Sequence, residues 1–251
     1  EVHSNGVLVD TTPPDAGTVK ITSSRTTKSN TVYLTSKESL CASWNTFNDN
    51  ESAIVSFQFS LCAMLNKHRC PISGRNLNDK TSICIEEPPV TEGEGYAIVI
   101  TATNQVGLTS SSKSSYFVID TTEPNIGEIT AFNPLEDKYS FISSSLLARW
   151  KGFSDGESGI SEYFICVGME PGLCDVKESV SVGKTSQHTW YNLSLASTEE
   201  YFVSIRSVNN AGISTGYVTS DPFAVDTTAT FPSEIFDGSK NGEDIDYQQD
   251  R

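Results

Sequence analysis

Ser145-Leu146-Leu147-Ala148-Arg149-Trp150 is the second writing of Ser39-Leu40-Cys41-Ala42-Ser43-Trp44, about 106 residues further on. Each hexapeptide leads into an aromatic run and a Cys-x7-Cys pair, Cys62 and Cys70 in the first copy, Cys166 and Cys174 in the second. The copies also close alike: Tyr96–Gly107 (YAIVITATNQVG) answers Tyr201–Gly212 (YFVSIRSVNNAG), and each ends in an Ile/Val-Asp-Thr-Thr junction. A period of that length is a whole domain with its own core, not a solenoid repeat that leans on its neighbours.

Working outward gives four segments. Residues 1–10 resemble the closing strand of an upstream module, 11–119 form a first module, and 120–226 a second. Residues 227–251 are an acidic tail that opens like a third. The whole is expected to be an excised stretch of a longer tandem-module polypeptide.

The runs between the repeats have the two-residue period of strands. Val55–Leu61 and Ala97–Ala102 are short, β-branched and aromatic, separated by Gly, Asn, Asp, Ser and Pro. In the second copy Leu146–Trp150, Gly159–Gly168, His188–Leu195, Tyr201–Asn209 and Tyr217–Asp226 read as strands B, C, E, F and G. Strand A is expected within 127–132 and a short C′ near 179–182. The expected fold is all-β: two tandem seven-stranded antiparallel sandwiches.

These residues resemble the fibronectin type III module, an immunoglobulin-like fold. The resemblance rests on Trp44 and Trp150 on strand B, Phe57 and Tyr163 on strand C, and Val90 or Leu195 six residues before Tyr96 or Tyr201. That last spacing suits a tyrosine corner, with a backbone partner for the hydroxyl. Asp-Thr-Thr-x-Pro, Trp-x-Gly-Phe-x-Asp-x-Glu-Ser-Gly-Ile and Asn-x-Ala-Gly resemble the repeats of large animal extracellular and cell-surface proteins. The resemblance marks the fold far better than the task, because this sandwich hosts many tasks.

Ordinary type III modules lack disulfides, and here the six cysteines depart from the pattern. Identical spacing in both copies pairs Cys62 with Cys70 and Cys166 with Cys174. In the resembled fold strands B and E are neighbours, so Cys41 and Cys84 are expected to meet on the outer face of their sheet. Four cysteines in the first module still allow three pairings. Paired cysteines point to the secretory pathway, and the sequons at Asn50 and Asn192 agree with it.

Composition excludes several functions. The net charge is −15, from 32 acidic and 17 basic residues, the reverse of what phosphate-dominated nucleic-acid binding needs. No apolar run is long enough to insert in a membrane. The three scattered histidines and the absence of nucleophile, P-loop and zincin motifs argue against an enzyme, and no cofactor is expected. One polar motif repeats between strands B and C: Asn48-Asp49-Asn50-Glu51-Ser52 and Ser154-Asp155-Gly156-Glu157-Ser158. In the resembled topology this loop lies beside the Asp120 junction, so Asp120, Asp155 and Glu157 form a candidate calcium set. The favoured expectation is metal-free, because Gly156 removes the oxygen that Asn50 offers in the first copy.

The expected function is recognition of another extracellular or cell-surface protein through loops and sheet faces, within a receptor or adhesion ectodomain. The long Cys70–Ser82 segment favours it. The alternative is a structural spacer in a matrix or surface protein.

Overall fold

The computed structural model describes residues 9–23, 26–28, 31–64, 69–132, 144–197 and 199–225. The expectations for residues 1–8, for Asp226 at the end of the second module and for the acidic tail 227–251 lie outside these residues, as does His68, one of the three scattered histidines.

The first copy folds into β1 (Thr18–Ile21), β2 (Thr26–Lys28), β3 (Thr31–Leu34), β4 (Ser39–Asn45), β5 (Ile54–Ala63), β6 (Ile72–Asn78), β7 (Ser82–Glu86), β8 (Gly95–Asn104), β9 (Thr109–Lys113) and β10 (Phe117–Ile119). Strands β1, β4 and β7, the A, B and E of the fold, make one sheet. The second sheet runs β2-β3-β10-β8-β5-β6, with β9 also on β8. The second copy supplies β11 (Glu128–Phe132), β12 (Ser145–Lys151), β13 (Ile160–Gly168), β14 (Lys177–Gly183), β15 (Gln187–Tyr191), β16 (Glu200–Asn209), β17 (Val218–Thr219) and β18 (Phe223–Ala224). Its sheets are β11-β12-β15 and β14-β13-β16-β17, with β18 on β16.

Two features refine the expectation. The first sandwich carries an added hairpin, β2–β3, whose β3 pairs parallel with β10, Val32 opposite Phe117 and Leu34 opposite Ile119. Strand G is split in both copies. Ser114 and Ser220 sit in the gap, where Ile98 N–H and Val203 N–H donate to their hydroxyls instead of to a ladder carbonyl. Pro222, with no N–H to give, follows in the second copy.

Alternation decides what faces inward. In β4, Leu40, Ala42 and Trp44 are buried while Cys41 and Ser43 turn out. Trp44 and Trp150 are buried at the centre of their cores, 3% and 5% exposed. Each meets the strand C aromatic edge-on, Phe57 at 5.8 Å and Tyr163 at 5.7 Å, and a second ring completes the stack, Phe47 or Phe153. Trp-x-x-Phe is thus a packing unit in which the chain leaves strand B and folds its Phe back onto strand C. Only glycine fits opposite: a Cβ on Gly17 or Gly127 would stand 2.3 Å or 2.6 Å from the Phe47 or Phe153 ring.

The tyrosine corners are present at both E–F turns. Tyr96 and Tyr201 are buried, and their hydroxyls accept backbone N–H bonds from Thr91 (3.0 Å) and Ala196 (2.9 Å). Tyr96 also donates to Glu94 at 2.6 Å.

His188 lies against Trp190 at 4.7 Å, half-buried on strand E, and this desolvation holds its imidazole below the usual value of 6.5. A histidine favoured neutral in the folded state contributes fully above pH 6.5, and that contribution is lost as pH falls through this value. The thermal midpoint of the second sandwich is therefore expected to fall between pH 7.5 and pH 5. The slope should flatten in His188→Gln; an unchanged slope places the titrating group elsewhere.

Candidate functional site

The chain enters each sandwich through an Asp-x-Thr segment, and each time one asparagine gathers it in. Asn104 and Asn209 stand at the last position of strand F, both 1% exposed. The Asn104 amide donates to Asp10 Oδ2 (2.8 Å), Asp49 Oδ2 (3.0 Å) and the Thr12 carbonyl (3.3 Å). Asn209 repeats the pattern on Asp120 Oδ2 (2.9 Å), Asp155 Oδ2 (3.0 Å) and the Thr122 carbonyl (3.1 Å). Their Oδ1 atoms accept N–H bonds from the F–G turn, Leu108 and Ile213, each at 2.8 Å. One side chain thus ties linker, B–C loop and F–G loop together. Asn125, bonded to Ser154 in both backbone directions, extends the tie.

The structure brings Asp120, Asp155 and Glu157 together, with one carboxylate oxygen of each within 4.8 Å of the others. A hard cation such as calcium wants six to eight oxygens. The four aspartate oxygens are already engaged. Asp120 Oδ1 accepts Thr122 N–H, Asp155 Oδ1 accepts the N–H groups of Ser158 and Gly159, and both Oδ2 atoms face the Asn209 amide. An N–H donor between two carboxylates occupies the place where a cation would draw them together, so these residues fit a hydrogen-bonded staple better than a calcium cage. Small-angle scattering is expected to be the same with calcium and with a chelator. A lengthening on adding calcium, abolished by Asp155→Asn, reverses that assignment.

In the first copy, N–H donors from Ser52, then the Asn104 amide, hold the Asp49 carboxyl below the usual carboxylate range. Glu51 is lowered chiefly by the Thr11 N–H at 2.8 Å.

The sequence places the B–C loop and the Asn209-Asn210 loop beside the junction but assigns the Asn104 and Asn209 amides no role. The signal was available: in both copies the asparagine lies eight positions after the corner tyrosine and opens the Asn-x-x-Gly turn.

The three disulfides sit away from the staples. Cys41 and Cys84 face one another across β4 and β7, bridged on the outer side of that sheet. Cys62–Cys70 and Cys166–Cys174 each close the turn after strand C. The Cys166–Cys174 loop folds onto the outer face of its sheet. Gly172 N–H donates to Ser204 Oγ (3.0 Å) and Met169 N–H to Asp175 (3.0 Å). Met169 and Leu173 are left 43% and 45% exposed on this loop. The sequon residues Asn50 and Asn192 are both exposed, Asn50 in the first B–C loop and Asn192 in a left-handed turn (φ 55°) after strand E.

No protein-family model matches the chain, and no curated protein matches it in sequence. Among solved structures it is similar to the fibronectin(III)-like modules of Clostridium thermocellum CbhA, at 12% identity. That match covers 82% of this chain and 93% of the other, with a TM-score of 0.42. It is similar also to the FN1–FN3 domains of chicken CNTN1, at 14% identity over 84% of this chain and 65% of that one, with a TM-score of 0.33. Neither is close enough to transfer a function. The strand order stands on the structure itself: A-B-E in one sheet, C′-C-F-G in the other, twice. Both halves are fibronectin type III-like sandwiches.

Proposed function

We propose that the chain is an extracellular protein-binding segment of a cell-surface receptor or adhesion protein, composed of tandem modules whose loops and sheet faces contact another protein. The supporting observation is the Cys166–Cys174 loop. A short loop closed by a disulfide and pinned by two further hydrogen bonds, from Gly172 N–H to Ser204 and from Met169 N–H to Asp175, loses little entropy on binding, and it presents Met169 and Leu173 to solvent. Specificity on such scaffolds sits in exposed loops carried by rigid sheets. In the first sandwich the Cys41–Cys84 bridge and the added β2–β3 hairpin are further elaboration that a bare spacer does not need. All six cysteines are bridged, which accords with an oxidising compartment.

A cell-binding screen with Glu1–Arg251 and with Met169→Ser/Leu173→Ser tests the proposal. Binding by the parent that drops at least about tenfold in the variant is expected, the usual weight of a small apolar hot spot. A second reading, structural spacer, is favoured by the staples, which fix how the chain enters each sandwich. It prevails if flanking modules bind the partner and this segment does not.

A further inference from the structure

The two junction segments are built alike except for one carboxylate, and the difference concerns a single backbone donor. In the first copy the Thr11 N–H donates to Glu51 of the same sandwich's B–C loop (2.8 Å), and the Thr12 N–H follows at 3.3 Å. In the second copy the counterpart of Glu51 is Glu157, which makes no hydrogen bond or ion pair among the described residues. The Thr121 N–H goes backwards instead, to Glu92 on the E–F loop of the first sandwich (3.4 Å), and the Thr121 hydroxyl bonds the other Glu92 oxygen at 2.7 Å. Lys37, also of the first sandwich, holds Glu92 in place at 2.5 Å.

The same E–F loop touches the second sandwich. Gly93 has φ 72°, and a Cβ there would lie 3.2 Å from the Glu157 Cα. Lys28 reaches across to Ser161. Glu157 meanwhile stays within 4.8 Å of Asp120 and Asp155, beside the junction, just as Glu51 stands beside its own.

We propose that Glu92 and Glu157 are alternative acceptors for the Thr121 N–H, so that the junction has two arrangements. In the locked one, Glu92 holds Thr121 and the E–F loop seats Gly93 against the second B–C loop, fixing the angle between the sandwiches. In the released one, Glu157 takes the N–H as Glu51 does for Thr11, the backbone donor stays satisfied, and the contact with the first sandwich is given up. Thr121 is exposed, and handing its N–H from one carboxylate to another makes release cheap, since the bond given up to Glu92 is replaced by a like bond to Glu157. Aligning Tyr96 with Tyr201 puts Ser197 and Thr198 where Glu92 and Gly93 stand, so the E–F loop of the second sandwich carries neither the acceptor carboxylate nor the glycine.

Residual dipolar couplings and Thr121 amide exchange, measured on Glu1–Arg251 and on Glu92→Ala, Glu157→Ala and the double variant, test this. Unchanged core amide shifts confirm that each variant is folded. The parent and Glu157→Ala are expected to fit a single alignment tensor with Thr121 protected. Glu92→Ala is expected to need two tensors while Thr121 protection persists, because Glu157 takes over. The double variant should lose that protection by at least about tenfold, the weight of a charge-assisted bond. The proposal is overturned if Glu92→Ala keeps a single tensor, or if it already exposes Thr121 as fully as the double variant.

Discussion

Trp150→Ala is expected to destabilise the second sandwich by about 3–5 kcal/mol, the usual cost of truncating a buried large aromatic. The loss is one of packing. The indole N–H finds no acceptor among the described residues, so no hydrogen bond is forfeited. What goes is the ring beside its cross-strand partner Ile129 and the edge-on contact with Tyr163, leaving a hole that β-strands tied by ladders cannot collapse to fill. For a domain of this size each kcal/mol moves the midpoint by about 4–8 °C, so a drop well above about 10 °C follows. Calorimetry reads it directly. The transition of the first sandwich, with its separate core around Trp44, should stay in place. If both transitions move together, the two cores are not independent folding units.

Asn209→Asp should be the most damaging isosteric change at the polar end of the second sandwich. The side chain keeps its size, but an amide that donates to two carboxylates becomes a third carboxylate 2.9 Å and 3.0 Å from them. Two charge-assisted bonds are lost and like charges are pressed together where Asp120 is fully buried. The cost is about 3 kcal/mol or more, with Asn104→Asp the matching case in the first sandwich. Urea unfolding measures it. The deficit should shrink as pH falls, because a carboxyl crowded by two others takes up a proton more readily in the folded state than in the unfolded one. A change within about 0.5 kcal/mol at neutral pH, as for an ordinary surface substitution, would mean the staple does not hold the linker.

Much of the architecture was legible from residue order. The two-residue period places Trp44 and Trp150 inward and Cys41 outward, since a strand allows only two faces. The duplicated hexapeptide, the Cys-x7-Cys pairs and the Leu/Val-to-Tyr spacing sufficed for two all-β modules, because each is a local pattern whose partner lies within one repeat. Even Asp120, Asp155 and Glu157 came together as expected, since strand connectivity returns the B–C loop to the module's entrance.

Other features depended on distances between segments far apart in the chain. The parallel pairing of β3 with β10 joins residues more than eighty positions apart, and nothing local in Thr31–Leu34 chooses that edge. Asn209 is an ordinary turn-forming asparagine by sequence; only the fold surrounds its amide with Asp120, Asp155 and the Thr122 carbonyl. Glu51 and Glu157 occupy the same position of the same motif, yet one is bonded to its linker and the other is not. The cause lies outside the motif, in Glu92 of the preceding sandwich, which reaches Thr121 because its E–F loop is bonded to the end of strand G, Gly93 N–H to the Ile119 carbonyl at 3.0 Å. Sequence by itself determined what each module is, because period and spacing act within a strand and its turn. Tertiary structure decided which carboxylate takes which donor, because a hydrogen bond depends on angstroms that no spacing rule carries across a junction.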